Sequence, residues 1–346
     1  MTKPAHIKRL GFFTRILDQT DAAERYRLAT AQIAHAEHYG YDSAWIAQHH
    51  FHEGEGGLPS PFVFLAQVAA RTSRIRLGTG IVTLPLEMPI RVAEDAAVTD
   101  LMSGGRLEVG VGPGGNLTAF TAFGLDAKDR HKLMEGNLAL MRMAWSGGEL
   151  PGGDRLYPAS PGLADRLWQA TFSVEGARRA GLAGDGLMLS RTQPRPPDRP
   201  NASLYDIQSP MIDAYLAALP KGRAPRILAS RTVFVADDRQ EAMKLAAVGA
   251  QRLRHRLAAT GNLSSGDLVG DLIAAFDIHV GTPDEVAASL LADDTLLRAT
   301  DMTVQSHSID PPHPYIMRSI ELMAEKVAPA LGWAPQKTET GARQVA

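Results

Sequence analysis

The densest group of potentially reactive side chains in this sequence is the run Gln48-His49-His50-Phe51-His52-Glu53. It follows a predicted strand at residues 43–47, so the histidines are expected at the carboxyl end of a strand. His50 and His52 could supply two imidazole ligands to a metal ion, with His307 as a distant third. The additional ligands that such a site requires are missing from the intervening strand ends, and we therefore predict no metal site.

Two interpretations of these histidines remain when a metal is set aside. They are loop histidines without a chemical role, or at least one of them is a general base or a hydrogen-bond donor to a bound ligand. We favour the second interpretation. His49, which follows the strand most directly, is the predicted catalytic residue.

Hydroxyl groups and glycines at other predicted strand ends indicate the kind of ligand. Ser173 begins a predicted helix directly after a strand, where free N–H groups attract phosphate; an ordinary N-cap serine is the alternative interpretation. Glycines at neighbouring strand ends leave out side chains where a flat ring could approach the backbone. They are Gly78, Gly80, Gly110, Gly112, Gly114 and Gly115. A phosphate pocket beside such a wall would suit flavin mononucleotide (FMN).

Eight predicted strands alternate with predicted helices along the chain, at residues 7–13, 43–47, 75–84, 107–111, 167–172, 187–190, 227–235 and 302–305. Their nearly continuous hydrophobicity is typical of parallel strands covered on both faces, and eight is the number that closes a (β/α)₈ barrel. An open doubly wound sheet is the alternative, but the nearest match to its glycine-rich turn, at residues 110–115, contains Pro113. We predict an α/β protein with a single TIM-type barrel domain over residues 1–335 and a loose tail over residues 336–346.

Two stretches, residues 191–207 and 261–270, match neither a strand nor a helix because they are rich in proline or in glycine and serine. Long insertions in barrels are often lids over the active site, and a passive surface loop is the equal alternative.

The composition excludes several classes of protein. Lys and Arg number 36 against 38 Asp and Glu, a net charge of −2, so the excess of basic residues that a nucleic-acid binder needs is lacking. Without cysteine the chain forms no disulfide and no thiolate metal site. No uncharged stretch approaches the roughly 20 apolar residues that span a membrane. We expect a soluble, cytoplasmic protein.

Six segments together form a recognisable pattern: residues 42–51, 77–85, 89–95, 100–107, 175–181 and 281–285. In combination they resemble the bacterial luciferase-like flavin-dependent monooxygenases. The resemblance runs from about residue 7 to residue 333. It implies a TIM-type barrel that binds reduced FMN or, in a sister branch of the family, the deazaflavin F420.

The resemblance also implies roles for individual residues. His49 matches a histidine near the flavin reaction centre that is a proposed acid/base, with a pKa near ambient pH. Gln48 stands where luciferase-type chains often have Glu, and Gly80-Ile81 match a pair that commonly forms a non-prolyl cis peptide against the flavin. The other predicted cofactor-binding residues are Thr79, Gly114, Arg130, Thr171 and Ser173. Pro113 departs from the arginine of luciferase α-type chains, so phosphate binding would be weaker or rely on Arg130 or Arg191.

The implied activity is monooxygenation of an unidentified small organic substrate by O₂ and reduced FMN, which a separate flavin reductase supplies. F420-dependent hydride transfer on the same barrel is the first alternative, and a flavin-binding homologue without turnover is the second. The helices predicted at residues 61–71 and 89–101 match those that form a dimer interface in the family, which implies a homodimer.

Overall fold

The computed structural model describes residues 9–199, 202–259 and 267–335. Eight parallel strands close into a barrel, because the last of them pairs with the first. The strands in chain order are β1 (Arg9–Thr14), β2 (Ser43–Ile46), β3 (Arg76–Thr79), β4 (Val82–Thr83), β5 (Leu107–Gly112), β6 (Leu167–Ala170), β7 (Gly186–Leu189), β8 (Ile227–Val235), β9 (Ile278–Gly281) and β10 (Asp301–Gln305). The pair β3 and β4 makes one barrel position, and β9 lies outside the closed ring. The predicted TIM-type barrel is confirmed.

Strand β9 was not predicted from the sequence. It is only four residues long, includes a histidine, and pairs with Thr232–Val235 of β8. The first half of β8, from Leu228 to Thr232, pairs with β10 instead. The long strand β8 therefore leaves the barrel part-way along its length and continues in a second pairing.

Helices lie between the strands: α1 (Ala22–His38), α2 (Pro61–Ala69), α3 (Pro89–Met102), α4 (Thr118–Ala122), α5 (Arg130–Trp145), α6 (Val174–Leu182), α7 (Leu204–Ala218), α8 (Arg239–Ala259), α9 (Leu268–Ala275), α10 (Pro283–Leu291), α11 (His313–Leu322) and α12 (Ala328–Ala330). A π-helical turn joins α11 to α12. Local capping explains several starts: Asp21 accepts from the Glu24 N–H, and Thr282 forms a capping box with Glu285. None of the helices in the described ranges combines the length and apolar character needed to cross a bilayer.

The two predicted irregular stretches are shorter than expected. A capping box between Ser203 and Asp206 starts α7 ahead of Pro210, so assigning residues 204–207 to a loop was wrong. Asp267 caps α9, which takes residues 268–270 into a helix. The rest of the second stretch, at 261–266, lies outside the described residues, as do the predicted tail and residues 1–8. The proline-rich stretch is attached to the barrel by an ion pair of 2.6 Å between Arg195 and Asp277.

The barrel interior is filled by large side chains opposite glycines. The indoles of Trp45 and Trp168 meet edge to face, with ring centroids 5.7 Å apart. A Cβ atom at Gly78 would overlap the Trp45 ring, and one at Gly186 would overlap the Trp168 ring. Phe13, Met188 and Leu228 complete this cluster. The middle of the barrel is therefore a packed core rather than a channel.

Ion pairs close the amino-terminal end of the barrel. Arg76 pairs with Glu108 at 2.5 Å, and Arg9 pairs with Asp301 at 2.6 Å. The Trp168 indole N–H donates to the second Glu108 oxygen at 2.7 Å. With one end closed by charges and the middle by aromatic rings, a ligand is left with the carboxyl-terminal end, as in barrels of this type.

Candidate functional site

The residues that follow the strands form the carboxyl-terminal end of the barrel, here called the mouth; among them are Arg15, His49, Thr171, Arg191 and His307. His49 comes three residues after β2, and its backbone N–H donates to the carbonyl of Leu58 at 2.9 Å. Its ring lies beside Arg15, whose guanidinium donates to Nε2 at 2.7 Å. A guanidinium cannot accept a hydrogen bond, so Nε2 is the acceptor and Nδ1 carries the proton.

The Nδ1 atom of His49 is buried and has no hydrogen-bond partner. It lies under Gly56, where a Cβ atom would overlap the ring. Buried polar groups are nearly always paired, and in the described part of the chain no acceptor pairs with this N–H. Sequence reasoning placed His49 correctly at the strand end but did not identify Arg15 as its partner.

Burial lowers the pKa of His49 to about 3, and repulsion from Arg15, His307 and His50 contributes in the same direction. The ordinary value is about 6.5, so the ring is neutral at physiological pH. The expectation of a pKa near ambient pH was wrong, because the strand end is buried and a cation touches the ring. His49 in this arrangement is a neutral hydrogen-bond donor through Nδ1.

The other histidines of the run point elsewhere. His50 packs edge to face on Phe123 with ring centroids 4.9 Å apart, and His52 is exposed. His307 is buried and hydrogen-bonds Asp310 through Nδ1 at 2.7 Å, and burial lowers its pKa to about 4. Within the described ranges, no three His, Asp or Glu side chains converge in a way that could hold a metal ion.

Gln48 is engaged entirely with the chain itself. Its side-chain amide donates to Glu87 Oε1 at 2.6 Å and to the Pro59 carbonyl at 3.0 Å, and its Oε1 accepts from the Thr83 N–H at 2.8 Å. Its backbone N–H donates to the carbonyl of Ile81 at 3.3 Å. Gln48 thus holds the segment after β3 in place.

The peptide bond between Gly80 and Ile81 is cis, which confirms that prediction. The neighbouring Thr79 is fully buried, and its hydroxyl both donates to the Gly110 carbonyl at 2.8 Å and accepts from the Gly110 N–H at 2.9 Å. These bonds connect β3 to β5 across the gap in their ladder. The structure therefore places the Thr79 side chain in the sheet rather than toward a cofactor.

The predicted wall of bare glycine backbone is wrong for most of its members. Phe13 fills the Cβ position at Gly80, Ile81 the one at Gly112, and Met188 and a carbonyl the one at Gly110. Gly114 has a φ of +80°, which favours glycine on conformational grounds alone. Only Gly115 of the predicted set faces open space. The missing side chains make room for the protein's own core.

Two hydroxyls meet at the start of α6, as the phosphate prediction requires. Ser173 is exposed and its Oγ accepts from the Gly176 N–H at 3.1 Å, so it is a real N-cap. Thr171 Oγ1 accepts from the Ser173 N–H at 3.1 Å and lies 3.3 Å from Ser173 Oγ. The pair presents oxygen atoms and a helix start to solvent at the mouth.

A cavity of about 220 Å³ lies next to these hydroxyls, between α5 and α6. Thr171, His131 and Arg179 line it, together with Pro113 at the end of β5. The predicted phosphate ligand Arg130 is not among the lining residues, and its guanidinium donates to the Ala127 carbonyl at 3.0 Å. Sequence reasoning missed His131, one residue further along the helix.

Arg191, the other candidate for phosphate binding, lies on a different side of the mouth. Its guanidinium donates to Thr232 Oγ1 on β8 at 2.9 Å and is stacked over Phe276 at 5.7 Å from the ring centroid. Its charge also helps to lower the pKa of His307. These contacts place it near β8 and β10 rather than at the start of α6.

Comparison with known proteins identifies the family. The sequence pattern of the luciferase-like monooxygenases matches residues 9–297. The chain belongs to this family. Among named relatives, 4-hydroxyprotoasukamycin monooxygenase of Streptomyces nodosus subsp. asukaensis is 32% identical over 239 residues, which cover 63% of this chain and 62% of that protein. The match thus spans less than two thirds of this relative's length.

Several solved structures have the same fold over nearly the whole chain. A monooxygenase from Streptomyces bottropensis superimposes with a TM-score of 0.75 at 26% identity, over 93% of this chain and 99% of its own. The oxygenating constituent of 3,6-diketocamphane monooxygenase from Pseudomonas putida, solved with FMN, gives 0.73 at 20% identity, over 94% and 99%. An F420-dependent secondary alcohol dehydrogenase gives 0.66 at 17% identity, over 94% and 99%. The last two similarities establish the fold alone.

Proposed function

We propose that this luciferase-like protein is the oxygenase of an FMN-dependent monooxygenase that acts on a small organic substrate. The observation that carries the proposal is the combination of two features at one barrel end. One is the buried, unpartnered Nδ1–H of neutral His49, and the other is the exposed hydroxyl pair of Thr171 and Ser173 at a helix start. A flavin mononucleotide has both a polar ring system and a phosphate, so it suits both features.

Each of these residues has a distinct task in the proposal. Thr171, Ser173 and the N–H groups at the start of α6 bind the phosphate. The Nδ1–H of His49 donates a hydrogen bond to the ring system, and Arg15 keeps Nε2 from taking up a proton. Trp45 and its neighbours in the barrel interior exclude water from below.

Reduced FMN, when bound, supplies the two electrons needed to convert O₂ and a substrate into an oxygenated product and one molecule of water. We propose that a separate flavin reductase delivers it. The described residues form a single barrel, and the proposal assigns this barrel one phosphate site, at the hydroxyl groups of Thr171 and Ser173. Substrate then binds above His49, at the same barrel end.

The experiment is an anaerobic titration of the purified protein with reduced FMN, oxidised FMN and F420, followed by mixing with O₂. Reduced FMN should bind most tightly, and binding should change the rate at which it is reoxidised. Tighter binding of F420 would instead favour hydride transfer. Flavin binding with a reoxidation rate equal to that of free flavin would favour a homologue without turnover.

We further propose that the protein is a homodimer through α2 and α3. Large apolar side chains on these helices and at the start of α3 are between 43% and 75% exposed: Val63, Met88, Val98, Leu101 and Met102. An apolar patch of this kind is typical of an interface. Light scattering at micromolar concentration should give twice the chain mass, and Leu101→Glu should shift it toward the monomer. A parent protein that is monomeric at that concentration would disprove the dimer.

A further inference from the structure

The cavity between α5 and α6 has the features of an anion site. Its volume of about 220 Å³ exceeds that of several water molecules at roughly 30 Å³ each, so a phosphate group fits. Met134, Leu138 and Ala139 contribute apolar groups to its lining. The hydroxyl of Thr171 connects it to the start of α6.

One arginine and one histidine among the lining residues remain for a ligand in this cavity. Arg142 forms an ion pair with the buried Asp185, which balances its charge. Arg179 is 3.6 Å from Glu135, an exposed pair that contributes little and can rearrange. His131 is exposed, and it lies close enough to Arg130 and Arg179 for both to affect its titration. His131 from α5 and Arg179 from α6 therefore line the same cavity as Thr171.

We propose that His131 and Arg179 bind the phosphate of FMN, and that His131 takes up a proton when the phosphate binds. This inference rests on the proposed function, because it assumes that FMN is the ligand. It also accounts for Pro113: the cavity obtains its cations from α5 and α6, so the end of β5 does not have to provide one.

The charges around His131 determine the sign of the pH dependence. In the free protein its pKa is lowered by partial desolvation of the ring and by the cations Arg130 and Arg179, while Glu135 acts in the opposite direction. On the outer face of α6, Arg178 and Glu175 are paired with each other. A phosphate dianion adds two negative charges next to the ring and raises its pKa, so binding draws in a proton. Affinity for FMN should therefore rise as the pH falls, until the phosphate itself is protonated near pH 6.

The test compares reduced FMN with reduced riboflavin, which lacks the phosphate, by anaerobic calorimetry. The preference of the parent protein for FMN should increase between pH 8 and pH 6.5, by no more than about tenfold per pH unit because one proton is taken up. At pH 6.5, His131→Asn and Arg179→Gln should each reduce the preference by about tenfold, the size of one charge-assisted hydrogen bond. His131→Asn should also abolish its pH dependence. Riboflavin affinity should stay constant, which shows that the variants are folded.

Arg178→Gln is the matched control, since Arg178 is the neighbouring exposed arginine and does not line the cavity. Arg178→Gln should leave the preference for FMN over riboflavin unchanged. If it lowers this preference as much as Arg179→Gln does, the effect comes from the net charge of the protein and not from a contact in the cavity, and the inference is overturned. An undiminished, pH-independent preference in both variants and parent would overturn it too, while the proposed function would stand. Absence of FMN binding by the parent protein would overturn both.

Discussion

Replacing His49 with asparagine should make the protein less sensitive to mild acid. The pKa of His49 in the folded protein is about 3, against about 6.5 for an exposed histidine. The unfolded chain therefore binds a proton at pH 5 that the folded chain does not bind. The contribution to stability is fully present above pH 6.5 and is lost progressively as the pH falls toward 3.

The magnitude follows from this difference in pKa. Between pH 8 and pH 5, His49 alone should lower the free energy of unfolding by about 2 kcal/mol, from roughly 1.4 kcal/mol per pH unit over the interval in which only the unfolded state is protonated. His307 and His279, whose pKa values burial lowers to about 4, contribute further losses, so only the difference between parent and variant isolates His49.

The assay is urea unfolding of the parent and His49→Asn at both pH values. The stability lost on acidification should be about 2 kcal/mol smaller in the variant. His52→Asn is the matched control, because His52 belongs to the same loop but is exposed, and it should behave as the parent does. If His49→Asn and the parent lose the same stability, His49 titrates normally, and the Arg15 contact and its burial do not keep the ring neutral.

Three shorter predictions concern the mouth and the barrel core. Ser173→Ala should weaken FMN binding by about 1 to 3 kcal/mol, since one hydrogen bond to a charged group is lost; equal affinity in variant and parent would remove Ser173 from the site. His49→Ala should weaken flavin binding by about tenfold, the size of one lost hydrogen bond, and slow product formation per reduced flavin; unchanged flavin affinity, or loss of activity with a chelator, would contradict its proposed role as a donor to the flavin ring. Gly78→Ala should lower the thermal unfolding midpoint, because its methyl group would overlap the Trp45 ring; an unchanged midpoint would show that the ring has room to move.

Much of the fold could be predicted because it depends on local pattern. All eight barrel strands were predicted from short apolar runs, which can be recognised in a sequence by their hydrophobicity alone. The starts of α1 and α10 depend on local pattern too, since Asp21 caps the first and Thr282 with Glu285 caps the second. Strand β9 was not predicted because a run of four residues that includes a histidine is too short to show a hydrophobic pattern. The start of α7 could not be recognised within the proline-rich stretch 191–207, although a capping box at Ser203 sets it.

The candidate site was only partly predictable from the sequence. Position at a strand end is a local property, so His49 and Ser173 could be placed at the mouth in advance. The pKa of His49 could not, because it depends on burial and on Arg15, which is 34 residues away in the chain. Arg15 becomes the hydrogen-bond partner of His49 only because β1 and β2 lie side by side in the folded chain.

The tertiary structure alone decided in which direction each side chain points and which groups it contacts. Gln48 and Thr79 have polar groups suited to a ligand, but contacts with Glu87 and Gly110 use those groups inside the protein. Arg130 and His131 are adjacent in sequence, yet successive residues on a helix point about 100° apart. The sequence by itself determined a parallel barrel with a histidine and a serine at its open end. The rotation of α5 about its own axis in the folded chain determined that His131, and not Arg130, lines the cavity beside α6, since that rotation selects which of two neighbouring side chains faces inward.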